Sequence, residues 1–220
     1  MVRIAALYDL SHTLAKGFLS EHTYPWEALF AIKELIVDLG QSLSENEYDK
    51  IGDDVWVSKC ASIAPTAHIG GPCIIGHGTE VRHCAFIRGS ALVGEGCVVG
   101  NSTELKNVIL FDKVQVPHYN YVGDSILGYK SHMGAGAVTS NVKSDKTPVV
   151  IKGIDGSMIE TGRKKVGAML GDFVEVGCGS VLNPGTVIGR GSSVYPLSSV
   201  RGVIPEGSIY KSAGNIVKRI

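Results

Sequence analysis

Charge of one sign, long apolar runs and paired cysteines are all missing from this sequence of 220 residues. Its 21 Lys and Arg residues balance 21 Asp and Glu residues, which argues against a non-specific nucleic-acid binder because such proteins carry a basic excess. No apolar run is long enough for a transmembrane helix, and Tyr8, Asp9 and His12 interrupt the N-terminus where a signal peptide would be continuously apolar. We therefore expect a cytoplasmic protein with neither a membrane nor a nucleic acid as partner.

Cysteines are few, and their spacing is not that of a disulfide framework or a zinc ribbon. The five are odd in number and contain no Cys-x-x-Cys pair. They are Cys60, Cys73, Cys84, Cys97 and Cys178. We predict that they are small buried hydrophobic residues, which is where free cysteine is usually found.

Glycine is abundant instead, with 28 residues in the chain. Valine and isoleucine are frequent as well, which argues against a disordered low-complexity chain. Glycine favours tight turns and β-branched residues favour strands. The composition therefore indicates many short strands joined by many turns.

Aliphatic residues recur at every sixth position over most of the chain. The first run is Ile51, Val57, Ile63, Ile69, Ile75, Val81, Ile87, Val93, Val99 and Leu105, and the second is Leu170, Val176, Leu182, Ile188, Val194 and Val200. The residue four positions after each aliphatic is nearly always small, as at Ala61, Thr79 and Cys97. Glycine often follows the aliphatic directly, as at Gly76 and Gly94.

Neither a helical period nor simple alternation produces a six-residue repeat over such a length. A coil of short strands does, with one large aliphatic inside each flat face and one small residue inside each corner. Three hexads close one turn, and turns stack at the strand spacing of about 4.8 Å. The pattern predicts a mainly β protein built as a parallel β-helix over residues 51–210. We interpret the glycines as corner residues that adopt unusual backbone angles.

The repeat slips at two places, is interrupted once and has non-repeating segments at both ends. Leu110 and Leu127 each follow the preceding aliphatic by five residues instead of six. Residues 143–166 leave the pattern and are expected to form a hairpin around Ile154-Asp155-Gly156. Residues 1–50 predict a helical cap on the first coil, with one helix from Pro25 to Gly40 and a shorter one near Ser11. Residues 211–220 are expected to cap the other end.

Outward-facing residues of such a coil can be indexed from the repeat. Arg88 and Lys106 each follow an aliphatic directly and are 18 residues apart, so they are expected one above the other on the same face. Two stacked cations favour an anion between them, which suggests a phosphate clamp, although solvated surface cations remain the alternative. His118, near Tyr121, has a side chain suited to general base catalysis, although a corner histidine bonded to the backbone has the same sequence signature.

The stretch from Arg88 to Asn141 resembles the acetyltransferase domain of the bifunctional enzyme glucosamine-1-phosphate N-acetyltransferase/UDP-N-acetylglucosamine pyrophosphorylase. The matching segments are Arg88, Glu104-Leu105-Lys106, His118-Tyr119-Asn120-Tyr121-Val122-Gly123-Asp124, His132-Met133-Gly134-Ala135-Gly136-Ala137 and Asn141. Residues 51–210 are similar to the C-terminal domains of sugar-1-phosphate nucleotidyltransferases and to short proteins related to UDP-N-acetylglucosamine pyrophosphorylase. That similarity is carried by Ser140-Asn141-Val142, Lys152-Gly153, Thr161-Gly162-Arg163-Lys164 and Leu182-Asn183-Pro184-Gly185-Thr186.

The resemblance implies a left-handed β-helix of hexapeptide repeats and an acetyl-CoA-dependent N-acetyltransferase that forms a homotrimer with its active site between subunits. The acceptor would be an amino-sugar phosphate such as glucosamine 1-phosphate, in nucleotide-sugar metabolism, and no metal would be required. The implied catalytic residues are His118 and Glu104. The implied substrate-binding residues are Arg88, Lys106, Tyr121, His132 and Asn141, and the implied acetyl-CoA-binding residues are Ala135, Cys178 and Pro196.

Departures from the family pattern keep other functions open. His132 and Val142 stand where the family has Asn and Tyr, which puts the acceptor in doubt, and no phosphate loop of a pyrophosphorylase is found in residues 1–50. We therefore expect no pyrophosphorylase activity from this chain. One alternative is a non-catalytic, trimeric module that binds a sugar phosphate or nucleotide sugar and associates with a nucleotidyltransferase. The other is a metal enzyme with three converging histidines, for which His68, His77, His83, His118 and His132 show no matching spacing.

Overall fold

Aliphatic side chains six residues apart form the interior of a parallel β-solenoid in the computed structural model, which describes residues 2–219. The described helices are α1 (Ile4–Leu7), α2 (Lys16–Ser20) and α3 (Ile32–Ser42), with 3₁₀ helices at Leu10–His12 and Pro25–Phe30. The described strands before the excursion are β1 (Tyr48–Gly52), β2 (Val55–Ser58), β3 (Ser62–Ile63), β4 (His68–Ile69), β5 (Cys73–Ile75), β6 (Glu80–Val81), β7 (Phe86–Ile87), β8 (Ala91–Val93), β9 (Val98–Asn101), β10 (Glu104–Leu110), β11 (Gln115–His118), β12 (Tyr121–Leu127), β13 (His132–Met133) and β14 (Val138–Thr139). The later ones are β15 (Val150–Lys152), β16 (Met158–Glu160), β17 (Ala168–Leu170), β18 (Glu175–Val176), β19 (Val181–Leu182), β20 (Thr186–Ile188), β21 (Ser193–Val194), β22 (Ser199–Val200), β23 (Val203–Ile204), β24 (Ser208–Ser212) and β25 (Asn215–Lys218). The mainly β fold predicted from the hexads is confirmed.

The solenoid has three faces, each a ladder of parallel strands. The first face stacks β2, β5, β8, the second halves of β10 and β12, β17, β20 and β23. The second face stacks β3, β6, β9, β11, β13, β18, β21 and β24. The third face stacks β4, β7, the first halves of β10 and β12, β14, β19 and β22.

The register reproduces the sequence repeat and its slips. Ile87 pairs with Leu105, which is 18 residues later, and Leu105 pairs with Val122, which is 17 residues later. The shorter coils are those in which the aliphatic spacing drops to five. Ile51 does not belong to the ladder, because it lies in β1, antiparallel to β2, and its side chain is 59% exposed. The regular interior therefore begins at Val57, one hexad later than the sequence predicts.

Glycine has two structural roles in the coils, whereas the sequence predicted only one, that of a corner residue with unusual backbone angles. Glycines that directly follow the aliphatic do not have positive φ; a Cβ on Gly94 would lie 2.7 Å from the backbone nitrogen of Asp112 in the next coil. Positive φ occurs two residues later, as at Gly96, where φ is 60°. The first kind of glycine allows close stacking of coils, and only the second kind turns the corner in the left-handed region.

The N-terminal segment lies along the first face rather than over the first coil. Helix α3 contacts β5, β8 and β10, and the Pro25–Phe30 helix contacts β12. The single helix predicted from Pro25 to Gly40 is split at Ala31, and Gly40 lies inside α3, where a Cβ would overlap the ring of Trp56. The edge of the first coil is covered instead by β1.

Hydrogen bonds and apolar contacts fix the start of this segment to later coils. The backbone N–H of Asp9 donates to Oδ2 of Asp172 at 2.7 Å, and the N–H of Asp172 donates to the carbonyl of Leu7 at 3.0 Å. The ring of His12 stacks on that of Tyr129 with centroids 3.6 Å apart. The longest described helix, α3, has 11 residues, fewer than the roughly 20 needed to cross a bilayer, and no described helix meets that requirement.

Cysteine burial is only partly as predicted. Cys73 and Cys97 are buried, and burial raises the pKa of the Cys97 thiol to about 12. Cys60, Cys84 and Cys178 are exposed, so the prediction is wrong for these three. The buried pair occupies the small interior position of the hexad, whereas the exposed three lie at or beside corners.

Two hairpins interrupt or end the solenoid. Strands β15 and β16 pair in antiparallel fashion with Ile151 opposite Ile159, which confirms the hairpin predicted around Ile154-Asp155-Gly156. Strand β25 pairs in antiparallel fashion with β24 and covers the last edge of the second face. Ile220, the last residue of the predicted C-terminal cap, lies outside the described residues.

Candidate active site on the third face and its corner

Arg88 and Lys106 occupy adjacent coils of the third face, as the repeat predicts. The backbone N–H of Arg88 donates to the carbonyl of Leu105, which places the two side chains at the same position of successive coils. Each cation has an acidic partner: Nη1 of Arg88 donates to Oε1 of Glu104 at 2.7 Å, and Nζ of Lys106 lies 3.6 Å from Oδ2 of Asp124. The hydrogen bond that Arg88 donates to Glu104 raises the pKa of the exposed Arg88 guanidinium. Repulsion between the stacked cations is thus balanced by carboxylates of the same chain.

Asp124 connects the residues of this face. Its carboxylate is only 4% exposed and lies at a corner where φ is 48°. Oδ1 accepts a hydrogen bond from Nδ2 of Asn107 at 2.9 Å, and Oδ2 accepts one from Nδ2 of Asn141 at 2.5 Å. A buried carboxylate needs such donors, because an unpaired buried charge is strongly unfavourable. Asp124 therefore fixes the positions of Asn141 and Lys106.

Tyr121 completes the third-face cluster. It pairs with Glu104 across β10 and β12, and its hydroxyl accepts a hydrogen bond from Nδ2 of Asn141 at 3.2 Å. Burial, with a smaller contribution from Asp124 and Glu104, raises the pKa of the Tyr121 hydroxyl. The phenol therefore stays protonated at neutral pH and can donate a hydrogen bond to a ligand. Five of the sequence-predicted residues thus meet here: Arg88, Glu104, Lys106, Tyr121 and Asn141.

His118 lies at the corner where the second face turns into the third. The N–H of Gly136 donates to the carbonyl of His118, that of Gly179 to Ala135, and that of Leu197 to Cys178. These bonds place His118, Ala135, Cys178 and Pro196 at one position of successive coils. His118 is exposed, and Ala135, Cys178 and Pro196 occupy its position in the coils that follow. The candidate base and the candidate acetyl-CoA residues therefore share one edge of the molecule.

His132 lies on the second face, whereas Arg88 and Lys106 lie on the third. Its Nδ1 is 2.9 Å from Oε2 of Glu175 in the next coil. Within one chain His132 is therefore not part of the third-face cluster. The other histidines considered for a metal site are also separated, and among residues 2–219 no three His, Cys, Asp or Glu side chains converge as metal ligands would.

The excursion returns to the third face with a group of cations that the sequence analysis left without a role. Gly162, Arg163, Lys164 and Lys165 line a groove of about 500 Å³ together with Lys106 and Asp124. Nε of Arg163 is buried and has no hydrogen-bond partner among the described residues. Lys165 is held beside the cluster by a β-bridge to Val142. The run of three basic residues, Arg163-Lys164-Lys165, was the available signal, but its return to Lys106 depends on the path of the hairpin.

A family model described as the GMPPB C-terminal domain matches residues 69–183, just over half of the chain. The chain belongs to this family. The matched range contains every residue predicted for the site except Pro196, and it also contains the excursion. The match therefore spans both the third-face cluster and most of its corner column.

Curated relatives of this family member are longer proteins. A bifunctional sugar-1-phosphate nucleotidylyltransferase/acetyltransferase of Sulfurisphaera tokodaii is 31% identical over 106 residues, which cover 48% of this chain and 26% of that protein. A bifunctional protein GlmU of Methanococcus maripaludis is 35% identical over 107 residues, which also cover 48% of this chain and 26% of that protein. The chain thus spans about a quarter of the length of the curated relatives it matches.

Solved structures match with low sequence identity. The acetyltransferase domain of PglB from Neisseria gonorrhoeae, in complex with acetyl coenzyme A, is 16% identical. The match has a TM-score of 0.35 and covers 83% of this chain and 76% of that chain.

Proposed function

We propose that this chain is an acetyl-CoA-dependent N-acetyltransferase that acts on an amino-sugar phosphate. The observation that supports it most is the corner column of His118, Ala135, Cys178 and Pro196 beside the cluster around Lys106. One exposed histidine is thus placed between an anion-binding face and an edge lined by small residues. The relative from Sulfurisphaera tokodaii, whose name includes both nucleotidylyltransferase and acetyltransferase, agrees with this reading.

The phosphate of the acceptor is assigned to the cations of the third face. Lys106 and the Arg163–Lys165 segment line one groove, and Arg88 lies one coil away. These five cations face two carboxylates, Glu104 and Asp124, so the groove keeps a positive excess for a phosphate of about −1.5 to −2 charge. Tyr121 and Asn141 would hold the sugar through their hydrogen-bonding groups.

His118 is assigned the role of general base. It would take the proton that the sugar amine loses as the new N–C bond forms, and would return a proton to the sulfur as the thioester C–S bond breaks. Acetyl-CoA, when bound along the corner column, supplies the acetyl group as that thioester. Glu104, held by Arg88, is close to the same face and is assigned a supporting electrostatic role.

The corner backbone limits how an oxyanion could be stabilised. The N–H of Gly136 already donates to the carbonyl of His118 at 2.9 Å, and the N–H of Gly134 donates to the carbonyl of Val176 at 2.7 Å. These two amides are therefore committed to coil stacking. We assign oxyanion stabilisation to the backbone amide of Ala135.

A homotrimer would bring the separated residues together. The first face is covered by the chain's own N-terminal segment, which leaves the second and third faces for contact between copies. Packing the second face of one copy against the third face of another would move His132 towards Arg88. Mixing Arg88→Ala and His132→Ala subunits tests this: mixed oligomers should recover activity that neither variant has alone, whereas a site built within one chain would recover none.

The acetyltransferase proposal is tested by incubating the protein with acetyl-CoA and glucosamine 1-phosphate and following release of the free thiol. His118→Ala should lower kcat by about 10²–10⁴-fold, the usual contribution of a general base. His83→Ala is the matched control, because His83 occupies the same corner column two coils earlier and is bonded to Thr66. Full activity of His118→Ala, or no turnover with any amino-sugar phosphate, would contradict the assignment.

The second candidate function is a non-catalytic module that binds a sugar phosphate or nucleotide sugar and associates with a nucleotidyltransferase. The departures at His132 and Val142 favour it, because His132 is bonded to Glu175 outside the third-face cluster and Val142 stands where the family has Tyr. Calorimetric titration with acetyl-CoA separates the two functions. Binding that is weakened by a bulky residue at Ala135 supports the enzyme, and absence of binding supports the module.

A further inference from the structure

At the corner between the first and second faces, three consecutive coils have a residue other than glycine at the left-handed position. Its left-handed positions are Gly78, Gly96, Lys113, Lys130, Phe173, Gly191 and Gly207. Phe173 has a φ of 60°, and Lys113 and Lys130 have 60° and 55°. A side chain in this region costs about 1–2 kcal/mol relative to glycine. Such a cost at three neighbouring positions calls for a role of the side chains themselves.

The same three side chains line one pocket. Its volume is about 560 Å³, and Gln115, His132 and Glu175 of the second face form the remaining polar wall. Phe173 is 45% exposed, so it offers an aromatic surface to solvent. The pocket lies on the second face and is separate, within one chain, from the groove of Lys106 and Arg163.

Aromatic rings orient the two lysines. Nζ of Lys130 lies 5.2 Å from the ring centroid of Tyr129 and 5.8 Å from that of Phe173, and Nζ of Lys113 lies 5.9 Å from that of Tyr129. Cation–π contact at these distances is favourable. Tyr129 is in turn fixed by stacking on His12. In residues 2–219 neither lysine has a carboxylate oxygen within 4.0 Å, so both charges are available to an anion.

We infer that this pocket binds a nucleoside diphosphate. Lys113 and Lys130 are one coil apart, a backbone separation of about 4.8 Å, which suits the oxygens of a diphosphate group. The exposed Phe173 ring provides a stacking surface for a base, and Gln115 and His132 provide hydrogen-bonding groups for its edge. An anion alone would leave the exposed Phe173 ring without a contact to the ligand.

Calorimetric titration of the full chain with UDP, GDP and ADP, and separately with inorganic diphosphate, tests the inference. Phe173→Gly removes the ring and restores the residue found at this corner in other coils, so it should fold. It should weaken binding of the nucleoside diphosphates about tenfold or more, the usual contribution of a stacked base, while leaving inorganic diphosphate unchanged. Phe173→Leu is a second variant that keeps apolar bulk, since Leu197 already adopts a φ of 58° at another corner.

The charge requirement is tested by combining Lys113→Gln with Lys130→Gln. This double variant should weaken every nucleoside diphosphate and inorganic diphosphate alike. Lys211→Gln is the matched control, because Lys211 lies 5.9 Å from the Tyr195 ring on the same face but outside the pocket. The readout is binding without turnover, so it does not depend on whether the chain has acetyltransferase activity.

Three results would overturn the inference. The first is no binding of any nucleoside diphosphate by the wild-type chain. The second is inorganic diphosphate binding as tightly as the nucleotides, which would show an anion site without base recognition. The third is loss of nucleotide binding in Lys106→Gln but not in Phe173→Gly, which would place the nucleotide in the third-face groove.

Discussion

The middle coils of the solenoid and its outer coils turn their corners with different residues. In the outer coils many of the left-handed positions are glycine, as at Gly78, Gly191 and Gly202, and the exceptions include Cys84 and Leu197. In the middle coils side chains are more frequent at these positions, as at Asn107 and Asp124. These middle side chains form the buried network of the third face, and the 17-residue coils occur in the same region. The difference teaches that a conformational cost marks the positions where a corner side chain has a structural or functional task.

The largest expected effect comes from making a middle corner resemble an outer one. Asp124→Gly suits the backbone at φ 48° but leaves the amide of Asn141 and the ammonium of Lys106 without their acceptor. We expect a loss of about 3 kcal/mol in the free energy of unfolding, at the low end for a broken buried ion pair because Lys106 is partly exposed. Denaturant unfolding measures it, and activity should fall with it.

Asn107→Gly is the control for Asp124→Gly, since it removes the amide that donates to Asp124 and to the carbonyl of Leu29, at the same corner one coil earlier, and keeps the carboxylate. Its cost should be smaller, about 2 kcal/mol for two hydrogen bonds. Stability of Asp124→Gly equal to that of the wild-type chain would mean that the middle corners do not depend on their side chains.

The two kinds of glycine provide the next comparison, within a single coil. In Gly94→Ala the new methyl group would lie 2.7 Å from the backbone nitrogen of Asp112, so the coils must separate. We expect a loss of about 2 kcal/mol, typical of overpacking against a rigid neighbour. In Gly96→Ala the nearest atom is Cγ of Lys113 at 3.5 Å, and only the φ of 60° is unfavourable, for about 1 kcal/mol. Thermal unfolding of both variants should show this order, and the reverse order would refute the distinction.

This distinction shows what the sequence alone could provide. The hexad pattern predicts that Leu105 and Val122 lie in the interior. It also predicts the 17-residue coils from the five-residue spacing before Leu110 and Leu127, because a missing residue shifts every later aliphatic. The hexad position also separates buried Cys97 from exposed Cys84, a signal that the composition argument did not use. Periodicity is a property of neighbouring coils, so it predicts them well.

Contacts that join distant parts of the chain had no such signal. The bond between Asp9 and Asp172 joins residues 163 positions apart, and the repeat does not specify which face the N-terminal segment covers. The approach of Arg163 to Lys106 depends in the same way on the path of the β15–β16 hairpin. For the candidate site, the repeat predicts the column of Arg88 with Lys106 and the column of His118 with Ala135. It does not predict that Asp124 is the acidic partner of Lys106.

A smaller effect is expected from pH at the contact between the N-terminal segment and the coils. Burial raises the pKa of Asp172 above its ordinary value of 3.8; the N–H groups of Asp9 and Tyr129 and the charge of Arg190 oppose the rise, and the Asp9 carboxylate adds to it. A raised folded-state pKa means that this group's stabilisation is complete below about pH 3.8 and is lost as pH rises through the folded value. Asp172→Asn should flatten that part of the stability profile, measured by urea unfolding from pH 3 to pH 7.

The same profile distinguishes Asp172 from its exposed neighbour. The hydroxyl and backbone N–H of Ser11 lower the pKa of Asp9, so its contribution has the opposite sign and is lost as pH falls. Asp9→Asn should therefore change the acidic limb in the opposite direction. An unchanged profile in Asp172→Asn would show that titration of Asp172 does not contribute to the stability of this contact.

The smallest expected effect is a gain, at an outer corner that lacks glycine without a network to explain it. Leu197 has a φ of 58°, and its side chain is 85% exposed. Leu197→Gly removes the backbone strain but makes the unfolded chain more flexible, so the two terms nearly offset and we expect a net gain of about 0.5 kcal/mol. Leu197 follows Pro196, which belongs to the corner column. The effect of the variant on stability can therefore be compared with its effect on acetyl-CoA binding. A gain in thermal stability with weaker acetyl-CoA binding would show that Leu197 contributes to ligand binding. A gain with unchanged binding would show that Leu197 is strained without contributing to binding.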